Sequence, residues 1–106
     1  MSEKIIFSSS DKLSDSILES YCSSFNEIFL KNYDINFFKK KYTGNFKGFS
    51  YHSLLVDEIN QVYAACTIMP SLYLVDKKEV YVGTLVDVFI NPEKRKDPFL
   101  LLKLYN

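Results

Sequence analysis

The chain has 106 residues, and its 13 Lys and Arg are balanced by 13 Asp and Glu. That length allows one domain with one core, and zero net charge argues against nucleic acid, whose phosphates call for surplus basic residues. Apolar residues make up 47% of the chain, with 3 Gly and 3 Pro, which excludes a linker, and neither a secretory leader nor a membrane span is expected.

The first element is a short strand at Lys4-Ile5-Ile6-Phe7. Ser8, Ser9 and Ser10 then offer capping hydroxyls, and Leu13, Ile17, Leu18, Tyr21, Phe25, Ile28 and Phe29 recur at helical spacing. Asp15, Glu19 and Asn26 fall on the opposite side. A second helix starts at the cap Asp34 and carries Phe37, Phe38 and Tyr42, with Lys39-Lys40-Lys41 read as a solvated face. After Gly44 and Gly48 the pattern turns to β. Strands are expected over Phe49–Val56, Gln61–Met69 and Glu79–Ile90. Asp57-Glu58-Ile59-Asn60 and Val75-Asp76-Lys77-Lys78 are natural hairpin connections, and Pro70, lacking a ladder donor, is expected to bend or end its strand. A last helix begins near Pro98, where proline suits the first turn. Cys22 in a helical pattern and Cys66 in a strand pattern read as small buried hydrophobes in a reduced, cytoplasmic setting.

The order strand, two helices, antiparallel meander, helix predicts an α+β layered domain. Its most informative stretch is the last quarter, Tyr81 to Asn106, where the apolar strand ending at Ile90 meets Asn91-Pro92-Glu93-Lys94-Arg95-Lys96-Asp97-Pro98 and then a Leu-rich run. A strand, a basic turn and a helix start together make an anion cradle, because first-turn N–H groups are unpaired and partly positive.

This segment resembles the cofactor-binding motif of the GNAT superfamily of N-acetyltransferases. The resemblance implies a three-layer GNAT-like fold, of which this chain is the N-terminal part with an incomplete sheet. It implies acetyl-CoA as co-substrate and no metal, with a small-molecule or peptide amine as acceptor. Val88, Phe89 and Ile90 would hold the pantetheine arm through main-chain groups, and Arg95 and Lys96 the diphosphate. Asp87 would face the acceptor amine, binding its ammonium or helping to deprotonate it. As a residue alternating with Val86 and Val88, Asp87 reads first as a charge on the solvated face of a strand. The family's two small loop residues are replaced here by Pro98, which removes an N–H, and Leu100, which adds bulk.

Elsewhere the sequence offers less. His52 is the sole histidine and reads as an ordinary strand residue. Tyr63, Tyr73 and Tyr81 read as cross-strand packing partners. A GNAT-derived interaction module without catalysis, and an unrelated α+β domain, are the other readings. An uncovered sheet edge implies a second copy or a bound partner.

Overall fold

Ser14 opens the first helix. In the computed structural model of the chain, which describes residues 3–95 and 100–105, its hydroxyl accepts the Ile17 N–H at 3.2 Å, and α1 runs Asp15–Phe29. The cap is therefore not among Ser8, Ser9 and Ser10. The first two complete strand β1, Glu3–Ser9, and Ser10 begins a single 3₁₀ turn, Ser10–Lys12. Leu18, Tyr21, Cys22 and Phe25 form the buried stripe of α1, as their 3.6-residue spacing requires.

The helix stops at Leu30, which adopts a left-handed φ of 55°. Asn26 straps the loop that follows: its side chain donates to Tyr33 O at 2.8 Å and accepts from Tyr33 N–H at 3.1 Å. It is thus a loop organiser rather than the solvent-facing residue expected. Helix α2, Ile35–Thr43, begins where expected, with Asp34 Oδ1 accepting the Phe37 N–H at 2.8 Å.

Three further strands follow: β2 (Tyr51–Asp57), β3 (Val62–Val75) and β4 (Lys78–Ile90). The sheet order is β1-β2-β3-β4, every pair antiparallel. Both expected hairpin connections are present. Asp57 Oδ1 accepts the N–H groups of Ile59 and Gln61 at 3.0 and 2.9 Å in the first. In the second, Asp76 and Lys77 both take positive φ, 49° and 65°, the two-residue turn whose twist suits a hairpin.

Pro70 neither ends nor breaks β3, which continues to Val75. Strand β2 pairs only as far as Tyr51 opposite Ile68, so Pro70 lies where β3 has lost that neighbour. A residue without an N–H is tolerated at such an edge. The outer halves of β3 and β4 therefore form a two-stranded arm beyond the sheet.

Strand alternation divides the core into two clusters, giving three layers. On one face α1 and α2 pack over Leu54, Val56, Val62, Ala65 and Phe89. On the other, α3 (Leu100–Tyr105) seats Leu100 and Leu104 on Leu55, Ala64 and Cys66. The α+β class and the GNAT-like order of elements stand as expected, with a partial sheet of four strands. Pro98, the expected start of the last helix, lies outside the described residues. Leu100 is 4% exposed, so its bulk serves the core.

Candidate site at the bulge of strand β4

The register between β3 and β4 slips near the end of β4. Ala65 pairs with Phe89 and Thr67 with Val86, so Asp87 and Val88 together oppose Cys66 alone. Such a bulge turns a side chain away from simple alternation. Asp87 takes φ 51°, a left-handed geometry that Asp accepts more readily than most residues. Its carboxylate consequently faces α2 and is not on the solvated face: the side chain is 12% exposed.

Three groups meet there. Tyr42 donates its hydroxyl proton to Asp87 Oδ2 at 2.5 Å, and the Lys41 ammonium lies 2.7 Å from the same oxygen. Lys41 Nζ is also 5.7 Å from the ring centroids of both Phe25 and Tyr42, within the range where a ring face attracts a cation. Lys41 thus departs from the solvated face expected for its run. Lys39 and Lys40 remain exposed.

Behind Tyr42 runs a chain of polar groups through the core. Tyr21 Oη lies 2.6 Å from Tyr42 Oη and 3.3 Å from Thr67 Oγ1. Thr67 Oγ1 is 2.9 Å from His52 Nδ1, and His52 Nε2 is 2.7 Å from Ser10 Oγ. Burial pushes the His52 pKa down to about 4 against a smaller opposing pull from Asp87, so the ring is neutral at pH 7. The Tyr21 hydroxyl is raised above its ordinary pKa chiefly by burial, as is that of Tyr42, and both stay protonated.

Donor counting fixes the protons nearest the carboxylate. A carboxylate only accepts, so Tyr42 spends its proton on Asp87 and must accept from Tyr21. The path continues from Tyr21 through the Thr67 hydroxyl to His52 Nδ1, where the direction of the bond follows the tautomer of the ring. His52 Nε2 meets Ser10 Oγ, which accepts the Ser50 N–H at 3.0 Å and donates to Ser50 O at 3.2 Å. The path that starts at the carboxylate joins hydroxyls and an imidazole on five elements. His52, read from sequence as an ordinary strand residue, is a link in this chain.

The expected cofactor residues are distributed as follows. Phe89 is buried in the helix-side cluster, whereas Val88 and Ile90 pack on the α3 side. Strand β4 is an outer strand of the sheet, so one edge of its main chain has no strand partner among the described residues. Arg95 is exposed and donates from Nε to Ile90 O at 3.0 Å, which places its guanidinium at the end of that edge. Lys94 is paired with Glu3 and lies 4.9 Å from the centroid of the Tyr63 ring. Lys96 lies outside the described residues.

Of the three strand tyrosines, Tyr63 donates to Asp57 Oδ2 at 3.0 Å. Tyr81 stacks on Phe46, with centroids 5.6 Å apart. Tyr73 is 53% exposed. Cys22 and Cys66 are free and buried, and burial raises both thiols, which disfavours the nucleophilic thiolate. No three His, Cys, Asp or Glu side chains come together as a metal site among the described residues, and no described helix is long and apolar enough to cross a membrane. A groove of about 570 Å³ is lined by Phe7, Tyr51, Ile68 and Leu104 among others and does not include Asp87.

The layered architecture is that of an α+β protein of GNAT-like fold. A solved structure shares that fold: an acetyltransferase from Trypanosoma brucei matches with a TM-score of 0.64 at 12% identity, over 96% of this chain and 72% of that one. No protein-family model and no curated protein sequence matches the chain.

Proposed function

We propose that this domain transfers an acetyl group from acetyl-CoA to a primary amine by direct attack. The observation that carries this reading is the Asp87 carboxylate, turned inward by the bulge, with an ammonium at 2.7 Å and a buried tyrosine hydroxyl at 2.5 Å. A carboxylate held in that way binds an amine and accepts its proton, directly or through water. The likeness to a solved acetyltransferase supports the same chemistry at the level of fold.

On this reading the main chain of Val88, Phe89 and Ile90 holds the pantetheine arm beside the bulge. Arg95 and Lys96 take the diphosphate, and main-chain N–H groups at the bulge stabilise the oxyanion. Positioning of amine against thioester contributes most of the acceleration. Titration with acetyl-CoA and a thiol-release assay over a panel of amines test the proposal. Arg95→Ala is expected to weaken acetyl-CoA binding about tenfold, the loss of one charge-assisted contact. Asp87→Asn is expected to lower turnover about a hundredfold. A folded chain that neither binds acetyl-CoA nor acetylates any amine overturns it.

A second reading, a GNAT-derived interaction module, is favoured by the arm of β3 and β4. Leu72, Tyr73, Leu74, Val75, Val80 and Tyr81 are exposed there, an apolar surface of the kind that meets a second copy or another protein. Acetyl-CoA binding weakened by Arg95→Ala separates the two readings, since the module needs no cofactor.

A further inference from the structure

The position that an acceptor amine would take on Asp87 is filled by the protein's own lysine. Lys41 Nζ sits 2.7 Å from Asp87 Oδ2 and 5.7 Å from the centroids of the Phe25 and Tyr42 rings. A carboxylate with flanking rings is the chemistry that recognises a primary ammonium. The other two lysines of the run do not share it: Lys39 pairs at 3.4 Å with the exposed Asp15, and Lys40 faces solvent. The Lys41 side chain is 29% exposed, so it is reached from outside while its charge is held within.

We propose that Lys41 is itself an acceptor of this site and becomes acetylated on Nζ. The inference rests on the acyl-transfer reading and goes beyond it by naming an internal substrate. An ammonium has no lone pair, so reaction begins when Lys41 Nζ gives one proton to Asp87 Oδ2, which passes it to water. The freed lone pair attacks the thioester carbonyl carbon of acetyl-CoA, forming the C–N bond. The C–S bond then breaks, its electron pair leaving on sulfur, and the thiolate takes the second proton from nitrogen. The products are an amide on Lys41, free CoA thiol and one released proton.

Acetylation removes the lysine charge and its ability to pair with a carboxylate. Asp87 and the two rings are then free to receive an external ammonium, so the first turnover opens the site for those that follow.

The test is site-resolved mass spectrometry of the intact chain incubated with acetyl-CoA, with Lys39 and Lys40 as references on the same helix. Lys41 is expected to acquire acetyl first, and about a hundredfold more slowly in Asp87→Asn. Lys41→Arg, which keeps the charge, is expected to leave only the slow background on Lys39 and Lys40. Labelling of Lys41 no faster than Lys39 and Lys40 in the unaltered chain overturns the proposal without need of any variant. Undiminished labelling in a folded Asp87→Asn chain overturns it too. Added amines acetylated while Lys41 stays unmodified would refute the internal acceptor and leave acyl transfer standing. Failure of both, with no acetyl-CoA binding, would remove acyl transfer as well.

Discussion

Position 87 couples charge to backbone shape. At φ 51° most side chains strain the main chain by about 1–2 kcal/mol, whereas Asn shares the tolerance of Asp. Asp87→Asn therefore isolates the charge where Asp87→Ala would mix charge with strain. At the far end of the same chain, His52 makes stability depend on pH. Its folded pKa of about 4 lies below its ordinary 6.5, so between those values the unfolded chain binds more protons. Stability is full above pH 6.5 and falls as the solution is acidified toward 4, by about 3 kcal/mol from this residue. Urea unfolding at pH 7.5 and 4.5 is expected to show that loss, and His52→Asn to flatten it from a lower starting stability. Asp87 stands out in the sequence through the family resemblance, but neither its inward turn at a bulge nor the buried place of His52 was legible at residue level. Asp87 follows strict alternation in the sequence, and a bulge is a mismatch between two strands far apart in it. His52 gains its partners from Thr67 and Ser10, which no local spacing brings together.

At the scale of elements, α2 matters because adjacent residues on it, Lys41 and Tyr42, both reach Asp87. Its start depends on the Asp34 cap, at 2.8 Å from the Phe37 N–H. Asp34→Ala is expected to cost about 1 kcal/mol, and Asp34→Asn far less, read as shifts in the midpoint of thermal unfolding. Such signals are local, which is why the sequence exposes them: the Asp34 cap, the stripe of α1 and the two hairpin turns all follow from neighbouring residues. The course of β3 past Pro70 does not. Whether a proline interrupts a strand depends on where its neighbour ends, here at Tyr51 opposite Ile68, and that is settled by tertiary pairing. The first cap shows the same limit on a smaller scale: several serines compete near Ser10, and the strand claims Ser8 and Ser9 before Ser14 starts the helix.

At the scale of the whole molecule, the principal extents are 51 × 30 × 25 Å, the shape of a layered body with a projecting arm. The body holds both core clusters. The arm beyond Ile68 and Leu85 is two strands with exposed side chains, and an isolated pair of strands is marginal in water. The chain thus comprises two grades of cooperative unit. Amide hydrogens of Leu72–Leu74 and Val80–Val82 are expected to exchange through local opening, well before those of Leu54–Val56, which wait for global unfolding. Nuclear magnetic resonance with exchange into heavy water checks that order. Because the arm and the bulge share β4, a ligand seated along the open edge of that strand would lower the frequency with which the arm opens. Slowed exchange at the arm would then report occupancy of a site that the arm does not touch.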